Sequence, residues 1–264
     1  MSVSSSAVKQ IAKESLKNNY LKAFVSCLVL ILAWILQINI GGLLLDVTGD
    51  IVALIISALI GIFLVSPLVF GVLKYFYNLT AKIAENPVSV FYWFSEKKLY
   101  FKALKFTLHF TLRTAFWLLV LNIPSILLFA FSKTFFFEIL DIAPPVWSAS
   151  LEYYAVFLRN ISFVAVFFIM LKFYMAPMLF VADDNANIDE CMYNSSVISR
   201  KSSIDFIGLI FSSAPLLLLS LFVLPLPFAL PYLLSYYVTH IKISVEEYNS
   251  HIENSKFIQM GFFE

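Results

Sequence analysis

Residues 51–73 read IVALIISALIGIFLVSPLVFGVL, an uncharged apolar stretch that decides the fold class. A helix needs about 20 apolar residues to cross a bilayer core. In lipid the backbone polar groups must be satisfied within the segment, which a helix does and a lone strand does not. Working outward, comparable runs cover residues 21–45, 107–131, 154–182 and 204–224, and a less apolar one covers 227–245. The expectation is an all-α, polytopic transmembrane helical bundle of six spans, one transmembrane domain over residues 1–264, with short interfacial helices. The last run ends in Tyr236, Tyr237, Thr239 and His240. Pro225 and Pro227 before it favour a tight turn, and a re-entrant final hairpin is the alternative.

Composition agrees. Of 264 residues, 61% are hydrophobic and 13% charged, whereas about a quarter of a soluble domain is charged. A soluble core of this length cannot hide so much apolar surface, so the lipid bilayer is the first expected partner. A net charge of +1 gives no concentrated basic face for nucleic acid. Cys27 lies in an apolar run and Cys191 in a polar loop; two such cysteines make no disulfide framework. Lys9, Lys13 and Lys17 precede the first run like the start of a secretory signal. The run continues to Leu45 without a small-residue cleavage site, so it reads as a retained span.

Lysine and arginine set the orientation. They gather before the first run (Lys9, Lys13, Lys17, Lys22), after the second (Lys74, Lys82, Lys97, Lys98, Lys102, Lys105), between the fourth and fifth (Lys172, Arg200, Lys201) and in the tail (Lys242, Lys256). The alternate loops hold almost none, which predicts both termini in the cytoplasm of a cell-membrane protein. The loop over residues 132–153 is then outside. Its Phe135, Phe136, Phe137, Trp147, Glu138, Asp141 and Glu152 suit a short helix on the membrane surface, or a lid or partner-binding element.

Two cytoplasmic segments have interfacial character. Asn86-Pro87 opens one, with Phe91, Tyr92, Trp93 and Phe94 beside Lys97 and Lys98, a composition for the headgroup boundary. Asn187 opens the other, with Glu190 three residues on and Ile188, Met192, Ser195 and Ile198 at helical spacing. An internal echo accompanies them. Ser66-Pro67-Leu68-Val69-Phe70 reads like Ala176-Pro177-Met178-Leu179-Phe180, and each precedes one of these segments, a basic pair and another span.

Ionisable groups within spans are the candidate functional residues, because a buried charge costs roughly 2.5–3.5 kcal/mol on insertion scales. Lys98, Lys102, Lys105, His109 and Arg113 fall on one face of a helix entering the third span. Lys105, His109 and Arg113 could contact an anionic ligand or lipid headgroup; the competing reading is snorkelling anchorage. Asp205 enters the fifth span and is a candidate intramembrane ion-pair partner for Arg113, or a partner for His109. Arg159 has Glu138, Asp141 and Glu152 as candidate neutralisers. Asp183, Asp184, Asp189 and Glu190 lack the glycine-turned spacing of a metal loop and read as a solvated acidic stretch, so no metal or cofactor is expected. Pro67, Pro124, Pro177, Pro215 and Pro231 are expected helix kinks, each freeing a backbone carbonyl. Phosphate-binding glycine loops, zinc-binding helix motifs and nucleophile elbows are missing from the sequence. No catalytic residue is assigned.

The chain resembles a bacterial integral-membrane family of unknown function, domain of unknown function 975. That family is akin to the membrane domain of glycerophosphodiester phosphodiesterases. The resemblance runs over residues 11–248. It rests on Ala12-Lys13 and Leu16-Lys17-Asn18-Asn19-Tyr20, Pro67 and Gly71, Phe91 and Phe94, Tyr174-Met175-Ala176, Asp183-Asp184-Asn185, Ser195 and Ser199, Pro231-Tyr232, and Tyr248. Where the family has a glycine in a basic linker, this chain has Arg200-Lys201-Ser202-Ser203. The resemblance implies a six-helix membrane domain without assigned chemistry.

Three functions compete at this level. A non-enzymatic accessory protein of the cell envelope, acting on lipids or a membrane partner, fits the aromatic-basic segments. A transporter or permease subunit for a small or lipid-like anionic solute fits the prolines and the basic stripe. A headgroup enzyme would need acids or histidines converging at one depth, for which only Asp205, His109 and Asp183 are near.

Overall fold

The computed structural model describes residues 4–48, 50–83, 86–132, 148–222 and 225–260, which are 91% helical with no strand among them. The helices are α1 (Ser5–Leu16), α2 (Tyr20–Thr48), α3 (Asp50–Ile60), α4 (Ser66–Thr80), α5 (Tyr92–Ser95), α6 (Lys97–Ser132) and α7 (Ser148–Met170), followed by α8 (Ala176–Ala182), α9 (Ile188–Ser212), α10 (Ala214–Ser220) and α11 (Leu226–Met260). A π turn, Gly61–Val65, joins α3 to α4, and 3-10 turns occupy Pro87–Phe91 and Leu171–Phe173.

Among the described residues, four helical stretches are long and apolar enough to cross a membrane: Tyr20–Leu45, Asp50–Thr80, Lys97–Ser132 and Ser150–Ala182. A fifth follows if α9 and α10, bent by 63° at the intervening break, form one span. This fits a multi-pass membrane protein. α11 is not among these stretches; Tyr232, Ser235, Tyr236, Tyr237, Thr239 and His240 dilute its apolar content. Most of those residues pack inward instead. Val8, Ala12, Leu209 and Tyr236 form one buried cluster, with Tyr232 against it. Val8, Ala12 and Leu16 recur every four residues, so α1 buries a single stripe. Ser235 donates to the Ala12 carbonyl at 3.3 Å, and Lys9 donates to the Ser212 carbonyl at the end of α9, where helix carbonyls lack intrahelical donors.

Of the five prolines expected as kinks, Pro177 and Pro215 stand in the first turn of α8 and α10, where a missing N–H costs nothing, and Pro67 stands in the first turn of α4 straight after the π turn, where its missing N–H leaves the Phe63 carbonyl to another donor. Pro124 and Pro231 remain inside α6 and α11. The two segments expected at the headgroup boundary differ from each other. α9 begins where Asn187 caps it, its side chain accepting from the Asp189 N–H at 3.3 Å. Ile188, Met192, Ser195 and Ile198 are its buried face, and the helix continues through Arg200–Lys201 without a linker. Residues 87–95 instead fold inward on one side: Val90 and Trp93 are fully buried, while Phe91 and Phe94 stay exposed.

The inward turn is possible because of Gly71. A methyl group there would lie 1.8 Å from the Val90 carbonyl oxygen. The close approach seats Trp93 against Phe180 as a stacked pair, ring centroids 5.0 Å apart. Phe70 meets Trp93, Phe106 and Phe180 edge-on, and Phe106 lies 4.5 Å from Phe180. Four elements thus meet in one aromatic cluster, and each buried ring contributes about 1.5–3 kcal/mol of transfer free energy.

α4 ends in a Schellman motif. The Lys82 N–H bonds the Leu79 carbonyl and the Ile83 N–H bonds the Asn78 carbonyl. Lys82 therefore carries φ 58°, the one positive φ of a non-glycine among the described residues. Glycine is the usual occupant, and a side chain there costs on the order of 1–2 kcal/mol.

The chain forms two compact units, Met1–Thr107 with Tyr174–Glu264, and Leu108–Phe173. Within the second, α6 and α7 run antiparallel. Ser125 donates to the Ala155 carbonyl and Ser162 to the Leu121 carbonyl, both at 2.7 Å. Small hydroxyl residues allow this close helix contact. Most of the 132–153 loop, with Glu138 and Asp141, lies outside the described residues.

Candidate functional site

The basic stripe of α6 divides as it climbs. Lys98, Lys105 and His109 stand on the exposed side, opposite the buried Ala103, Leu104 and Phe106. Arg113 is half-buried and its guanidinium sits over the Phe173 ring, 4.5 Å from the centroid, a cation–π contact. Asp205 belongs to the other compact unit.

Lys102 faces inward and joins a polar group with Lys74, Tyr92 and Asp184. Asp184, two residues past α8, is its centre. One carboxylate oxygen accepts from Lys74 of α4 at 2.6 Å, and the other accepts from the Tyr92 hydroxyl of α5 at 2.7 Å. Lys102 donates to the Asp184 carbonyl. The Lys74 ammonium also lies 3.6 Å from the Tyr92 ring centroid, and Lys102 lies 5.3 Å from that of Phe180. Burial alone would raise the Asp184 carboxyl, but the hydrogen bonds from Lys74 and Tyr92 and the two lysine charges outweigh it and hold it below the ordinary carboxylate value. Burial, and then the bond to Asp184, push the Tyr92 hydroxyl up to about 12, so it remains a donor at neutral pH. The group caps the aromatic cluster, pairing four side chains from four elements.

A second polar group is mostly buried. The Tyr174 hydroxyl lies 3.1 Å from Ser202 Oγ and 3.0 Å from His240 Nε2. His240 is 1% exposed. The Tyr174 ring stacks on Phe206 at 4.2 Å. Tyr237 donates to the Tyr174 carbonyl at 2.5 Å. A buried donor without a partner costs about 1–3 kcal/mol, and here the hydroxyls and the imidazole satisfy one another. The arrangement orients and holds α8, α9 and α11 together.

No group of three or more metal-ligating side chains occurs among the described residues, and Asp183 accepts from the Asn185 N–H at 2.8 Å. Both cysteines are buried, Cys191 within α9 rather than in a loop. Compared with known proteins, the chain matches no family model, no curated protein and no solved structure.

Sequence reasoning named Lys105, His109 and Arg113 but not Lys74, Tyr92, Lys102 and Asp184 as one constellation. A signal existed. Lys74 and Asp184 each stand four residues after the phenylalanine of an echo segment, Phe70 and Phe180.

Proposed function

We propose that this chain is a non-catalytic multi-pass protein of the cell membrane, with six spans and both termini cytoplasmic. It acts as an accessory protein on lipids or on a partner in the membrane. The observation that carries the reading is the distribution of burial. Only 6% of the residues in the most apolar part of Tyr20–Leu45, and 6% of those in that of Lys97–Ser132, are buried. The well-packed core instead gathers where the lysines are, around Trp93, Phe180 and Asp184. Helix surface so apolar and so bare requires lipid or other helices around it, while the polar groups around Asp184 and Tyr174 hold helices to one another.

Mild-detergent purification from native membranes, with mass spectrometry of proteins and lipids, tests it. A stoichiometric membrane partner or a defined lipid complement is the expected result. A pure chain that turns over a phospholipid headgroup would end the non-catalytic reading. Cysteines placed at Ser6 and Ser250, and labelled from one side of sealed vesicles, test the orientation: both must react from the cytoplasmic side.

A transporter or permease subunit is the second reading, favoured by the interrupted helices at Gly61–Val65 and at the α9–α10 break and by the enclosed His240. Its discriminating measurement is labelling of cysteines along the His109 and Arg113 face. Reaction with a water-soluble reagent deep into α6 would put this reading first.

A further inference from the structure

A cavity of about 640 Å³ opens where α1 turns into α2 beside the end of α4. Ser15, Asn18, Asn19 and Thr80 line it with polar groups, and Lys22 and Lys82 with charge. Its volume is in the range of small-ligand sites. Glu14 is the one acid in the wall, and Gln10 donates to it at 3.3 Å. Two cations against one carboxylate leave the wall net positive. Lys242 donates to the Thr80 carbonyl, placing a third cation beside it.

Lys82 is the informative residue. The Schellman motif at the end of α4 asks for glycine at its position, yet a lysine is held there at φ 58°. A side chain kept in the left-handed region against its backbone preference is a mark of ligand clamps. Among the described residues neither Lys22 nor Lys82 is paired with a carboxylate. The Ser15 and Thr80 hydroxyls already donate to the Ala12 and Tyr77 carbonyls, so the Asn18 and Asn19 amides beside two ammonium groups are the donors that match the oxygens of a phosphate.

The position fits the same ligand. Lys22 is in the first turn of the stretch Tyr20–Leu45, and Lys82 follows the last turn of Asp50–Thr80. In a bilayer those ends lie at headgroup depth. Leu79 and Ile83 add apolar wall, suited to the start of an acyl chain.

We propose that this cavity binds a phosphate group, that of a phospholipid headgroup, through Lys22 and Lys82. The inference rests on the reading that α2 and the α3–α4 pair cross the bilayer. The test uses the full chain in detergent, with native mass spectrometry and thermal unfolding against added phosphatidylglycerol, phosphatidylcholine or inorganic phosphate. Lys82→Gly is the decisive variant, because glycine suits the backbone and removes only the side chain. Its thermal midpoint without ligand should equal or exceed that of the parent. Retention of phosphatidylglycerol should fall about tenfold, as expected for one charge-assisted contact, and Lys22→Gln should act in the same direction. If inorganic phosphate alone stabilises the parent and displaces the lipid, the phosphate site stands with a soluble source. If neither the lipid nor the phosphate signal changes in Lys82→Gly or in the Lys22→Gln/Lys82→Gly pair, the site is refuted. Release of the chain from membranes by alkaline carbonate would instead remove the membrane reading, independently of any lipid signal.

Discussion

The Tyr100 hydroxyl donates a 2.9 Å hydrogen bond to the Phe63 carbonyl, the acceptor that Pro67, four residues on, has no N–H to reach. Ser66 similarly donates to the Ile62 carbonyl at 2.6 Å. The π turn at Gly61–Val65 is thus repaired by side chains. A bare carbonyl in lipid costs free energy that water would otherwise recover. Tyr100→Phe should lower stability by about 1 kcal/mol. The check is thermal unfolding in detergent of the parent against the variant, and an unchanged midpoint would mean that the carbonyl is satisfied otherwise.

Gly71 and Gly42 should respond oppositely to alanine. At Gly71 the added carbon meets the Val90 backbone at 1.8 Å, and backbone cannot rotate away as a side chain can. Gly71→Ala should expel the 87–95 segment, costing about 3 kcal/mol or more, with Trp93 fluorescence shifting as its ring leaves Phe180. Gly42 has nothing within 4 Å, so Gly42→Ala should be neutral or stabilise α2 by about 0.5–1 kcal/mol. Equal effects at both positions would contradict the packing described.

The Asp184 group carries a pH dependence with a defined sign. Its folded carboxyl sits below the unfolded value, which is about 3.9. Its contribution is therefore complete above the unfolded value and is lost as pH falls through the folded one. The side chain is 43% exposed, so solvent screening keeps the effect small. Comparing the parent with Asp184→Asn between pH 7 and pH 3, the difference in unfolding midpoint should shrink toward the acid end. A difference that stays constant or grows would show that Lys74 and Tyr92 do not hold the carboxylate as described.

The apolar runs, the stripe of α9 and the capping Asn187 were legible because each depends on near neighbours in the chain. Asn187 and Ile188–Ile198 carry their own cap and period. Trp93 was not legible: beside Lys97 and Lys98 its local surroundings match a headgroup anchor, and only the backbone contact at Gly71 turns it inward. Lys82 was hidden for a related reason, since a lysine after a helix gives no sign of a left-handed backbone. The break between α9 and α10 could be suspected from Pro215, but its 63° bend depends on packing. For the basic stripe, spacing placed five side chains on one face and could not tell that Lys102 alone would find Asp184.

The Lys74–Asp184 bond joins positions 110 residues apart, and Phe70 meets Phe180 at that same separation, 5.3 Å between ring centroids. These are corresponding positions in the two proline-headed segments, so each segment touches its counterpart at matching places, as the halves of a dyad do. At such a place two identical segments would bring lysine to lysine or aspartate to aspartate. The opposite charges make the two segments complementary to one another and each repulsive toward its own copy. The consequence is a rule of pairing: a segment of one kind is matched by the other kind and opposed by its own.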